Sequence, residues 1–222
     1  MNILLISSYL PYPLFSGGHI RLFNILKELS KKHTITLICE RRDYQTDDDV
    51  ARVAQFCKKI ETVSRVRQWT IANIIRTGFS SYPFLMTGHT SEAMKDSIAR
   101  QLDNNTFDLV HVETFYVMQN LPSIKKLPLV LAEQNIEYSV YKRYADHARF
   151  LLKHLFFIDV LKMKQWEEKY WRRANWIVVT TENEKKEVKK YNEHVAIIPN
   201  GVDLNTFRAQ KSEGARFANG IR

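Results

Sequence analysis

Only two cysteines, Cys39 and Cys57, occur in the chain, and neither belongs to a C-x-x-C pair or lies beside a histidine cluster. No disulfide framework is therefore expected, and reduced, buried thiols are the expected state. Also absent is any run of ~18 apolar residues, the length a bilayer span requires. The N-terminal "MNILLISSYLPYP" has no basic segment, and Pro11 breaks its apolar run, so it is not a targeting segment. There is no Walker loop, nucleophile elbow, zinc-ligand spacing or G-x-G-x-x-G, and no internal repeat or low-complexity tract. Asn104-Asn105-Thr106 matches a glycosylation sequon, but without a secretory signal it is expected to be a helix-end turn.

What is present is an ordinary globular composition, 45% hydrophobic over 222 residues, enough for one large domain or two small ones. The formal net charge is +9. Such a balance favours an anionic partner: a nucleotide diphosphate, an acidic lipid surface or nucleic acid.

Apolar runs and helical periods alternate along the chain. "NILLISS" is a short run suited to a strand buried on both faces. A loop with Pro11, Pro13, Gly17 and Gly18 follows, then "HIRLFNILKELSKK" with Ile20, Phe23, Leu26 and Leu29 at helical spacing, then the strand "HTITLICE". This is the start of a right-handed parallel βαβ unit. Further strands are expected in "ETVSRV", "FDLVHVE", "LPLVLAEQ", "NWIVVTT" and "HVAIIPNG". Helices are expected after Thr46, on either side of a loop around Pro83, over residues 137–174, and in "ENEKKEVKKY". Seven strands alternating with helices predict an α/β fold, Rossmann-like, with a mainly parallel sheet and helices on both faces.

Four stretches carry candidate chemistry. Gly17 and Gly18 stand between the first strand and helix, where a bare backbone admits a ligand and a helix N-terminus attracts phosphate, with His19 and Arg21 adding charge. A plain tight turn is the competing account. His111 and Glu113 are two apart at the end of a strand, so they share one face. They suit a base or a sugar-hydroxyl ligand, or merely close the strand with a hydrogen bond. Glu133, Gln134, Asn135 and Glu137 cluster where a strand gives way to a helix, more polar groups than a cap requires.

The fourth stretch is residues 141–173, with nine Lys or Arg, four acids and eight aromatics. Leu151, Leu155, Ile158 and Trp166, flanked by Leu152, Met163 and Tyr170, fall in one helical arc opposite Arg149, Lys153, Lys164 and Glu168. A core-packing helix with a solvated basic face is expected, and a helix resting on an anionic membrane is the alternative. Asp47-Asp48-Asp49 contains a D-x-D, but a helix N-terminus explains it, and no metal is assigned.

In order along the chain, "ISSYLPYPLFSGGHIRLFNILKELSKKHTITLI", "FDLVHVE", "LAEQNIEYSVYKRYA", "ANWIVVTTENEKKEV" and "IIPNGVDLNTF" resemble the N-terminal half of glycosyltransferase family 4. The resemblance implies the GT-B architecture: residues 1–198 form the acceptor-side Rossmann-like domain, and 199–222 begin a linker and tail. Nothing in "RAQKSEGARFANGIR" matches the start of the family's second, donor-binding domain, so that domain is expected to be absent from this stretch. The family implies metal-independent transfer of a sugar from a nucleotide sugar to a glycan or lipid-linked acceptor, with no cofactor. Its typical products imply envelope polysaccharide or glycolipid synthesis in the cytoplasm or at the inner face of the cell membrane.

By the same resemblance His111 and Glu113 line the catalytic cleft. Gly17, Gly18, His19, Arg21, Glu133, Asn135, Glu137 and Asn200 bind donor phosphate or substrate. Glu113 stands where many members have a second histidine, and Gln134 where the segment usually has histidine. Two alternatives complete the set: one subunit of a split transferase whose donor domain is a separate polypeptide, or a non-catalytic glycan- or phosphate-binding module. Nucleic acid is not an expected partner.

Overall fold

The computed structural model describes residues 1–65, 67–124, 126–148 and 150–201, with residues 150–152 described by their backbone. The strands are β1 (Asn2–Ser7), β2 (Thr34–Arg41), β3 (Lys59–Ser64), β4 (Leu109–Glu113), β5 (Leu129–Ala132), β6 (Trp176–Val179) and β7 (Val195–Ile197). They form one sheet in the order β3-β2-β1-β4-β5-β6-β7, every neighbouring pair parallel. The helices are α1 (Gly17–Leu29), α2 (Asp47–Ala54), α3 (Ile71–Phe79), α4 (Phe84–Gly88), α5 (Glu92–Asn104), α6 (Glu137–Asp146), α7 (Phe150–Arg173) and α8 (Glu182–Val188). A 3-10 helix covers Phe115–Asn120.

Alternation along each strand sends side chains to two separate cores. Leu5, Leu37 and Cys39 pack with Leu22 and Leu26 of α1 and Val53 of α2. On the other face Leu4, Ile6, Val110, Val112 and Leu131 pack with Ile98 of α5, Trp171 of α7 and Val188 of α8. Both cysteines are free thiols, and burial pushes both pKa values up.

Five helices begin on a Ser or Thr whose side chain accepts from the first turn: Ser16, Thr46, Thr70, Ser91 and Thr181. Thr46 and Asp49 form a reciprocal capping box, so the three aspartates open a helix as expected. Asn104 ends α5, in keeping with the turn expected at the sequon. One boundary differs from expectation. Because Ser16 takes the cap, Gly17 and Gly18 form the first turn of α1 rather than a loop ahead of it.

The chain runs outward from β1 through β2 to β3, then returns to place β4 on the other side of β1. The carboxyl ends of β1 and β4 therefore flank the topological switch point, where open α/β sheets bind ligands.

Helix α7 is longer than the sheet it covers. Its 24 residues span about 36 Å, whereas the four-residue β5 and β6 span about 13 Å. Glu167 accepts from the backbone N–H groups of Glu137 and Tyr138, at 2.8 Å each, where α6 leaves the carboxyl edge of the sheet. The earlier part of α7 thus projects past that edge. This corrects the expectation of one continuous core-facing arc. Met163, Tyr170 and Trp171 are buried, but Leu155 and Ile158 are exposed because no sheet lies beneath them. Arg149 and the side chains of Leu151 and Leu152 lie outside the described residues.

Candidate active site at the switch point

The polar residues at the carboxyl edge converge on Gln134, two residues beyond Ala132, the end of β5 and its last partner in β6. Its Nε2 donates to Glu113 Oε1 at 2.8 Å and to the Tyr9 hydroxyl at 2.6 Å. Tyr9 follows β1, and its hydroxyl donates in turn to the Gly18 carbonyl at 3.3 Å. Glu113 ends β4 with its side chain fully buried, and Oε2 lies 3.2 Å from His111 Nε2. A carboxylate only accepts, so in the neutral ring Nε2 donates to it and Nδ1 is left as the acceptor. Burial and the Glu113 charge push the Tyr9 phenol up, so it stays a hydroxyl that can hold two partners.

Gly18 is in contact with this cluster. A Cβ there would stand 2.6 Å from Gln134 Oε1, so no side chain fits unless Gln134 moves. Gly17 faces open space, with nothing within 4 Å of its added Cβ. The N–H groups of this first helical turn lack intrahelical partners and carry the positive end of the helix dipole. His19 sits over Tyr9, ring centroids 4.9 Å apart, and its Nδ1 lies 2.6 Å from Ser16 Oγ. Burial, then the Arg42 charge, lowers its pKa. Arg21 Nη1 donates to Asn200 Oδ1 at 3.0 Å, which ties the "PNG" turn after β7 to the first helix across 179 positions of sequence.

The remaining expected residues separate. Glu133 points into the opposite core, where Oε1 accepts from Trp171 Nε1 at 3.2 Å and Oε2 is buried with no hydrogen-bond partner. Burial, then the Glu167 charge, raises its pKa well above the ordinary value. Glu137 opens α6 and bonds the Tyr116 hydroxyl and the exposed Asn135, and burial raises its pKa too. The structure therefore gathers Gly18, His19, His111 and Glu113 around Gln134 and Tyr9. Arg21 and Asn200 are joined along α1, and Glu133 faces away.

Sequence reasoning missed Tyr9, and it missed a second polar group at the same edge. Glu40, at the end of β2, holds His89 Nδ1 at 2.8 Å and Arg65 Nε at 3.7 Å, while Arg65 Nη2 lies 3.0 Å from His89 Nε2. His89 stacks on Tyr116 at 5.4 Å. Burial lowers the His89 pKa despite the carboxylate. These residues are up to 49 positions apart, and no local pattern links them.

The family model for Glycosyltransferase Family 4 matches residues 15–206. Among solved structures, Anabaena HepE in complex with UDP and glucose superposes with a TM-score of 0.55 at 14% identity, over 92% of this chain and 46% of that one. Medicago truncatula UGT71G1 complexed with UDP-glucose gives a TM-score of 0.54 at 14% identity, over 92% of this chain and 52% of that one. The chain spans about half the length of each of these two proteins. No curated protein sequence matches the chain significantly.

Proposed function

The chain belongs to glycosyltransferase family 4, and from that premise we propose that it is the acceptor-side half of an enzyme that moves a sugar from a nucleotide-sugar donor to a glycan or lipid-linked acceptor. The observation that supports this most is the contact of the α1 N-terminus, through Gly18, with the Gln134–Glu113–His111 chain at the switch point. The first turn of α1 and Arg21 meet the donor diphosphate. His111 Nδ1, its ring oriented by Glu113, accepts a proton or hydrogen bond from the acceptor hydroxyl. Glu113 and Gln134 are positioning residues, since both act through the imidazole.

No metal enters this proposal. Asp49 of the aspartate run is engaged in its capping box, and Asp47 holds Arg41 at 2.7 Å. A helix N-terminus and a guanidinium suit a departing diphosphate without one. The donor-binding half comes from polypeptide beyond these 222 residues, in the same chain or a separate one. The setting is envelope polysaccharide or glycolipid synthesis on the cytoplasmic side of the membrane.

The test is Gly18→Val, assayed for transfer in the complete enzyme. Valine at position 18 displaces Gln134 and blocks phosphate approach, so activity is expected to fall by about a hundredfold or more, as when an oxyanion donor is lost. Full activity in Gly18→Val would overturn the assignment of this turn to the donor phosphate.

A further inference from the structure

The α3 helix is built inside out. Ile71, Ile74, Ile75 and Phe79 recur at helical spacing and form one stripe, yet all four are exposed, Ile71 by 78% and Phe79 by 94%. The one buried residue of α3 is Asn73, whose amide donates to the carbonyls of Arg67 and Gln68. Trp69, just ahead of the helix, is 76% exposed although its ring lies against Phe84.

The C-terminus of α3 is fastened to the overhanging part of α7. Lys162 Nζ donates to the carbonyls of Thr77 and Ser80 at 2.8 and 2.7 Å, and Trp166 Nε1 donates to that of Ser81 at 2.9 Å. That part of α7 is itself apolar outside, with Leu155, Phe156, Ile158 and Leu161 exposed. Two apolar surfaces with no sheet beneath them thus share the carboxyl edge of the molecule.

Charge identifies what covers them. Besides Lys162, which is held by the Thr77 and Ser80 carbonyls, and Lys164, which reaches Glu168 at 3.8 Å, residues 67–80 and 153–166 contain Arg67, Arg76 and Lys153, with Asp159 as the one acid. Asp159 is turned inward, accepting from Phe84 N–H at 2.8 Å. A second copy of the chain would bring like charges together on this face. An anionic bilayer instead takes the apolar side chains among its acyl chains and the cations at its headgroups. We propose that α3 and the overhang of α7 form a platform that seats the protein on an anionic phospholipid surface, with the switch-point site at the same edge. This deepens the reading above, on which it rests for the choice of a lipid-linked acceptor.

The test needs no sugar transfer, so it fails or succeeds independently of the enzymatic reading. The purified chain is floated with vesicles of phosphatidylcholine alone and of phosphatidylcholine with phosphatidylglycerol, at low and high salt. Binding is expected only to the anionic vesicles and is expected to weaken with salt. Ile75→Ser with Phe79→Ser, both on the surface, is expected to bind about tenfold more weakly or worse with an unchanged circular dichroism spectrum. Three results would overturn the proposal. One is no binding to anionic vesicles at low salt, and another is equal binding by the double variant. The third is a stable dimer that the double variant abolishes, which would assign the face to a second copy.

Discussion

Gln134 joins three segments that sequence distance keeps apart, and its place could be read only in part. The segment after β5 was legible as a polar cluster, and its four side chains looked alike. The pleat decides between them, because Glu133 and Gln134 fall on opposite faces of the sheet. Gln134 reaches Tyr9 and Glu113, and Glu133 enters the core beside Trp171. Tyr9 was illegible for another reason: a tyrosine after a strand carries no signal until the helix and strand ends that enclose it are in place. The buried Glu133 also has a consequence for stability. Burial pushes Glu167 up to about 8 from its ordinary 4.5, and Glu133 is raised by burial and by Glu167 together. A carboxyl raised on folding keeps its proton in the native state after the unfolded chain has lost its own. Stability therefore falls as pH rises through the window between 4.5 and about 8. Glu133→Gln removes one of these titrations, so its urea midpoint should gain on the wild type as the pH rises above the ordinary carboxylate range. A constant gap over that rise would show that Glu133 ionises in the folded protein as it does in the unfolded one.

At the scale of elements, the strands and the helix starts were the most legible features, because each rests on local chemistry. Apolar runs bounded by turns gave all seven strands, and Thr46 and Thr181 each stand three residues before an acid that completes a capping box. Helix α4 has no such signal. Its N-cap is Pro83, which offers no side-chain acceptor, and Asp159 of α7 supplies the missing carboxylate from 75 positions away. Asp159→Ala is expected to cost about 1 kcal/mol, as the loss of an N-cap does, and Asp159→Asn is expected to recover much of it. Denaturant unfolding of the three proteins checks this, and coincident midpoints would show that α4 is held by packing alone. The arc drawn on α7 failed for a related reason. Helical spacing tells which residues share a side, but whether that side meets a sheet depends on the strand lengths beneath it. Here the sheet ends while the helix continues.

Across the whole molecule, the inventory for the donor is one-sided. Among the described residues, the groups proposed to meet the diphosphate are the first turn of α1 and Arg21, and Arg21 already shares its guanidinium with Asn200. Catalysis by stabilising a leaving diphosphate depends on several donors aimed at the developing charge, each worth on the order of a hundredfold. A half that supplies only some of them can hold a phosphate without accelerating its departure. The two neighbouring solved structures are about twice as long as this chain, and the proposed donor-binding half would complete the set. The 222 residues alone are accordingly expected to release nucleoside diphosphate from the donor nucleotide sugar at no more than about one-hundredth of the rate of the complete enzyme. The same assay on the chain joined to its donor-binding half, with acceptor present, supplies the reference rate. Comparable release by the isolated chain would mean that the switch-point cluster and the α1 N-terminus suffice for catalysis, and that the division into acceptor and donor halves is wrong. Release at background level, restored when the second half is added, would establish the division and give a baseline for measuring His111 and Gly18.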